Sequence, residues 1–154
     1  MGTASRHFSW AEFACKCASL ACEGKRLHTA WLLLVGLEEL HERLARVLAR
    51  EIRILVNSGN RCRSHDLAER RRYAQEHGLP PPTGTGEHAE FWAADVVVQA
   101  RTSPSGEWGP VPPDAVSAEA EECPVWRDGK GGIGTYSDRN HLDVRSGPGA
   151  RWRG

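Results

Sequence analysis

The stretch His88-Ala-Glu-Phe-Trp-Ala-Ala-Asp-Val-Val-Val98 decides how this chain is read. Asp95 opens an apolar, β-branched run with the composition of a buried strand, and the residues from His88 onward read as the loop that feeds it. An imidazole on such a loop and a carboxylate at the start of its strand can share one metal ion. Further along lies Asn140-His141-Leu142-Asp143. On a strand His141 and Asp143 point to one face while Leu142 and Val144 point to the other, so one face carries chemistry and the other joins the core.

Catalytic zinc takes three nitrogen or oxygen ligands from a protein and keeps a fourth position open for water. Bound zinc lowers the pKa of that water from roughly 15.7 to 7, and a neighbouring carboxylate then accepts its proton. Two His and one Asp fit this pattern, with Asp143 and Asp138 as candidate proton acceptors. Any one of these residues alone reads as a surface or hydrogen-bonded structural group. Their combination makes a metallohydrolase the leading reading.

The whole chain is compatible with that. Its 154 residues suit a single domain (1–154, with 1–28 as a cysteine-containing arm) that can bury a core without metal or disulfide staples. The 20 basic and 20 acidic residues cancel, so nucleic acid is not indicated. No targeting segment is read in Met1-Gly-Thr-Ala-Ser-Arg-His7, and Ala30-Trp-Leu-Leu-Leu-Val-Gly-Leu37 is too short to span a bilayer. The cysteines at 15, 17, 22, 62 and 123 are odd in number, so at least one thiol stays unpaired. Cys15-Lys-Cys17 with Cys22 reads as buried thiols or a disulfide, and a structural zinc is the lesser alternative because the spacing is not a CxxC knuckle.

Local signals place the remaining elements. Phe8-Ser-Trp-Ala-Glu-Phe13 predicts a short helix with Ser9 as cap, Glu12 as capping-box partner, and Phe8 and Phe13 as a staple. Between about Thr29 and Arg50, Leu33, Leu37, Leu40, Leu44 and Val47 recur at helical spacing. Ile52-Arg-Ile-Leu-Val56 reads as a strand, followed by Asn57-Ser-Gly-Asn-Arg61 with Gly59 in a tight turn. Ser64 to Gly78 predicts a solvated helix capped by Ser64 and stopped by Gly78. Leu79-Pro-Pro-Pro-Thr-Gly-Thr-Gly86 is a loop that can border a cleft, and a short helix is expected from about Pro113 to Glu122. Gly129-Lys-Gly-Gly-Ile-Gly134 then turns the chain into its last strands. One α+β unit, a small mostly antiparallel sheet with flanking helices, accounts for this order.

From roughly Phe8 to Trp152 the pattern resembles the zinc D-alanyl-D-alanine metallopeptidases, most closely their murein endopeptidase-like branch, whose fold is shared with the hedgehog signalling domain. Asn57-Ser-Gly-Asn-Arg61 is similar to that family's Ser-Gly-Tyr-Arg turn, and His88 to Asp95 to its Ser-x-His-x-x-Gly-x-Ala-x-Asp box. Gly131-Gly-Ile-Gly-Thr-Tyr136 with His141-Leu-Asp-Val-Arg145 looks like its Gly-Gly-x-Gly-x-Tyr…His-Val-Asp segment, and Gly149-Ala-Arg-Trp152 closes the set. The chain departs from the pattern at Asn60 (Tyr), Gly86 (Ser) and Phe91 (Gly), and carries a long charged helix after the turn.

The resemblance implies one zinc ion per chain held by His88, Asp95 and His141. It implies Asp143 as general base, with Asp138 competing through its Asp-x-x-His spacing, and Arg61 as a clamp for a substrate carboxylate or carbonyl. Arg61 reads equally as a structural salt bridge holding the turn, and Asp143 as a partner orienting His141. The expected function is zinc-dependent hydrolysis of an amide in peptidoglycan stem peptides or crosslinks by a monomer acting on cell wall. The alternative is a non-catalytic zinc-containing peptidoglycan-binding or phage-particle component of the same fold.

Overall fold

Strict alternation in Ile52-Arg-Ile-Leu-Val56 buries Ile52, Ile54 and Val56 and turns their neighbours outward, which builds strand β1 (Glu51–Ser58). It pairs antiparallel with β2 (Ala93–Arg101), in which Val96, Val98 and Ala100 supply the same buried face. The computed structural model describes residues 2–19, 22–25 and 28–154. Beside β2 lie the two-residue β3 (Gly109–Pro110) and β5 (Asn140–Asp143), then β4 (Gly132–Thr135) and β6 (Ala150–Arg153). The sheet order is β1-β2-β5-β4-β6, and every pairing is antiparallel except β4 with β6. The molecule is α+β, with a mostly antiparallel sheet.

Helices cover one face of the sheet. Helix α2 (Trp31–Leu48) buries Leu33, Leu37, Leu40 and Leu44, as their spacing predicts, and adds Leu34. Val47 departs from expectation at 57% exposed: it lies in the last turn, where the neighbouring Leu48 packs against the core instead. Gly36 on the same helix faces Trp126, and a Cβ there would lie 2.7 Å from the indole ring. The fully buried Trp126 can therefore approach the helix backbone only where no side chain stands. Helix α4 (Pro113–Glu121) begins on proline, as expected, and buries Val116 and Ala120.

The arm docks on the end of β1. Helix α1 (Trp10–Phe13) is capped by Ser9, whose N–H donates to the Glu12 carboxylate at 2.6 Å, and the Phe8 and Phe13 rings meet with centroids 5.9 Å apart. The Asn60 N–H donates to the Phe13 carbonyl at 2.7 Å. Gly59 is needed there for close approach, since a Cβ would come within 2.6 Å of the Phe13 backbone. That differs from the tight turn expected of it: β1 runs on to Ser58 with a bulge after Val56, and Gly59 has no positive φ.

Helix α3 (Arg63–Glu76) is almost entirely solvated, burying only Asp66 and Ala74. Its N-cap is Cys62, not Ser64, because the first helical bond runs from the Asp66 N–H to the Cys62 carbonyl. Gly78, at φ +64°, ends it as predicted. No helix among the described residues is long and apolar enough to cross a membrane.

Candidate metal centre

Two groups of side chains among the described residues can hold a metal ion: His88 with Asp95 and His141, and Cys15 with Cys17, Cys22 and Cys62. The first group is assembled by the antiparallel pairing of β2 with β5, which sets Asp95 directly opposite His141. The loop before β2 brings in His88. Asp95 Oδ1 lies 2.9 Å from His141 Nδ1 and 3.3 Å from His88 Nε2. Ligands about 2.0–2.2 Å from a tetrahedral metal stand roughly 3.4 Å apart, so a modest outward shift of His141 makes room for an ion.

The unused ring nitrogens decide which lone pairs face the site. His88 Nδ1 donates to the Gly59 carbonyl at 2.6 Å, which leaves Nε2 as the bare nitrogen. His141 Nε2 donates to Asp143 Oδ2 at 3.1 Å, which leaves Nδ1. Both imidazoles thus aim a ring nitrogen at one point beside Asp95 Oδ1, each fixed by a partner behind it, and an ion bound there would take the place of the proton that His141 Nδ1 donates to Asp95 at 2.9 Å. Burial pushes His88 below the ordinary imidazole pKa, toward the neutral form that binds metal. Burial acts on His141 in the same direction, but its bonds to Asp143 and Asp95 outweigh it and raise that pKa.

Asp95 is similarly constrained. Burial opposes its ionisation, yet the two imidazoles hold its carboxyl well below the usual range. Its second oxygen, Oδ2, accepts a 3.0 Å bond from Arg61 Nη2. Arg61 also donates through Nε to the Ser58 hydroxyl at 3.0 Å and stands 3.6 Å from the buried carboxylate of Asp66. The Arg61 side chain is 15% exposed, so it holds the turn and Asp95 together while still lining the cleft.

Asp143 and Asp138 stand in different surroundings. Asp143 has no exposed surface, and its carboxylate accepts from Arg145 Nε at 2.8 Å, Arg145 Nη2 at 2.5 Å and the Arg145 N–H at 3.1 Å, besides His141. Burial opposes its charge, but Arg145 and His141 hold its pKa well below the usual value. Gly132 makes this possible, since a Cβ there would fall on the Asp143 carboxylate. Asp138 instead sits in the turn between β4 and β5, closed by a Tyr136 N–H to Arg139 carbonyl bond. It is 66% exposed, pairs with Arg139 at 2.8 Å, and lines the same cleft as the metal ligands.

That cleft is open and encloses 650 Å³. Arg61, His88, Asp95 and His141 form one wall, while Tyr136 and Asp138 border it on the β4–β5 side. Helix α3 and the proline-rich loop also line it through Arg70, Tyr73 and Pro80. Trp152 backs the site, its ring centroid 5.2 Å from that of His141, and its N–H donates to the Tyr136 hydroxyl at 3.0 Å. Gly134 leaves space for that indole.

Several supporting groups escape sequence reading: the Gly59 carbonyl behind His88, Arg145 behind Asp143, and Asp66, whose Oδ2 accepts from the Gly86 N–H at 2.7 Å. Only Arg145 carried a signal, lying two residues beyond Asp143. All five cysteines are free thiols, so of the two readings of Cys15, Cys17 and Cys22, thiols or a disulfide, the structure shows the thiols, with Cys15 and Cys22 buried and Cys17 half-buried, and Cys62 joins them from the far end of the Arg61 turn.

Comparison with known proteins adds no relative: no family model matches the chain, and neither a curated protein nor a solved structure does so. The fold and side-chain geometry define an α+β protein with two groupings able to hold metal.

Proposed function

We propose that this chain is a zinc-dependent peptidase of hedgehog/DD-peptidase-like fold that hydrolyses an amide in peptidoglycan stem peptides or crosslinks. The observation that carries this reading is the convergence of His88 Nε2, Asp95 Oδ1 and His141 Nδ1 on the wall of an open cleft, each imidazole held by a bond from its other nitrogen. The ordered motifs from Asn57 to Trp152 support the substrate class. The donor set, two imidazole nitrogens and one carboxylate oxygen, suits zinc with a coordination position left over. Zinc bound there would polarise the scissile carbonyl and make water a nucleophile near neutral pH.

The chain's own residues then divide the work. Asp138, exposed on the cleft, would accept a proton from the attacking water and pass it to the leaving amine. Asp143, saturated by Arg145 and His141, orients the imidazole. Arg61 holds Asp95 through Oδ2 and so leaves Oδ1 for the metal. The cleft volume accommodates a short peptide.

The test is zinc content by elemental analysis, with peptides released from purified peptidoglycan followed by chromatography, for the wild type and His88→Ala. Zinc loss from the His–Asp site together with loss of product is expected. Zinc retention by the wild type without release of any peptide would replace the peptidase with the non-catalytic wall-binding reading.

A further inference from the structure

We propose that Cys15, Cys17, Cys22 and Cys62 form a second, purely structural zinc site, a closed tetrathiolate that clamps the N-terminal arm to the turn carrying Arg61. The four sulfurs lie within 4.8 Å of one another, and Cys17 and Cys62 stand 3.9 Å apart. Two sulfurs bound to one tetrahedral zinc at about 2.3 Å are separated by roughly 3.8 Å, whereas a disulfide brings two sulfurs to about 2.05 Å and draws them away from the other pair. Mutual proximity of all four is the arrangement a single ion requires.

The surroundings suit thiolates. The Cys62 N–H points to Cys15 Sγ at 3.4 Å, and His65 Nδ1 is 3.2 Å from the same sulfur. Cys62 is the N-cap of the 14-residue helix α3, and its own sulfur lies 3.4 Å from the Ser64 hydroxyl. Donors of this kind and a helix N-terminus both stabilise negative sulfur. Arg63 borders the cluster, with Glu23 also on its lining, and the arginine offsets part of the negative charge of the sulfurs. Cys15 and Cys22 are buried and Cys17 and Cys62 half-buried, and four protein sulfurs would fill a tetrahedral coordination sphere with no position left for substrate.

The backbone shows what the clamp does. The Cys15 N–H donates to the Gly24 carbonyl at 2.8 Å, and a Cβ on Gly24 would stand 2.7 Å from Cys15 Cβ and 3.1 Å from the Cys62 nitrogen. The arm therefore folds tightly over Cys62. One residue earlier, the Arg61 N–H donates to the His88 carbonyl at 2.9 Å, and the Gly59 carbonyl accepts from His88 Nδ1. Tying Cys62 to the arm fixes the segment that orients His88 and Asp95, so the second metal preorganises the first site without touching substrate.

The site stands independently of the proposed peptidase activity, and cobalt distinguishes the two. Reduced, metal-free full-length protein is loaded with Co2+, and the sulfur-to-cobalt charge-transfer absorption is recorded for the wild type, His88→Ala and the Cys17→Ser/Cys22→Ser pair. The His–Asp group has no sulfur and cannot produce that band. The wild type and His88→Ala are expected to show it, the double serine variant to lose it, and zinc-replete wild type to carry about two zinc ions per chain. Absence of the band in the reduced wild type would overturn the site even if the serine variant fails to fold. So would an intact mass showing two disulfides in zinc-replete protein purified without reductant.

Discussion

His141 and Asp143 lie on one face of β5, and the His141 Nε2–H donates to Asp143 Oδ2 across 3.1 Å. This bond turns the Nδ1 of His141 toward Asp95. It also occupies the carboxylate that the resembling motif marks as a base, while Asp138 borders the cleft on the β4–β5 side, with Glu69 and Glu76 of α3 also on its lining.

The two aspartates should therefore separate in a metal assay. Asp143→Asn is expected to weaken zinc binding at the His–Asp site by about 10–100-fold and to lower stability by roughly 1–3 kcal/mol, since it disrupts charge-assisted bonds to Arg145. Zinc titration and urea unfolding measure both.

Asp138→Asn should leave zinc affinity unchanged and stability within about 0.5 kcal/mol of the wild type, because the side chain is largely exposed. Peptide release should fall by roughly 10²–10⁴-fold. A variant that keeps full activity would remove Asp138 from the mechanism.

Phe91 occupies left-handed backbone at φ +63°, where the resembling motif carries Gly. Its carbonyl holds this geometry by accepting from the Ala30 N–H at 2.8 Å and the Thr29 hydroxyl at 2.9 Å. Phe91→Gly and Phe91→Ala both lose the ring, but only alanine retains the positive-φ penalty. The glycine variant should be more stable by about 1 kcal/mol in denaturant unfolding.

Gly36→Ala places a methyl 2.7 Å from the Trp126 ring. Overpacking there costs roughly 1–3 kcal/mol, against a helix-propensity gain of about 1 kcal/mol, so a net loss of stability is expected. Zinc stoichiometry should stay unchanged, which would mark the glycine as a packing requirement.

Glu38 accepts from the His7 N–H at 2.8 Å and lies 2.6 Å from His7 Nδ1. Burial opposes its charge, but the Ser5 hydroxyl and the His7 bonds together outweigh it and its pKa falls below the ordinary glutamate value. A depressed folded pKa stabilises the fold above the unfolded value of about 4.3, and this contribution is lost as pH falls through the folded pKa. Glu38→Gln should lower Tm at neutral pH, and the difference from the wild type should vanish in acid.

Much of this molecule is legible along the chain because its signals are local. Alternation in Ile52 to Val56, the leucine spacing of α2, the Ser9–Glu12 cap and Pro113 at the start of α4 each act within one or two turns of backbone, and each element stands where they place it. The same holds for the shared face of His141 and Asp143, which follows from strand geometry.

What tertiary structure alone decided depends on residues far apart in sequence. Register between β2 and β5 sets Asp95 against His141, and chain crossing brings the Gly59 carbonyl behind His88 and Cys62 beside three distant cysteines. Val47 turned outward and Gly59 served close approach rather than a turn because neighbouring elements set their space. Residue types specify which atoms can bond a proton or a metal; only packing specifies which of them meet, since that is fixed by contacts whose partners the local chain does not contain.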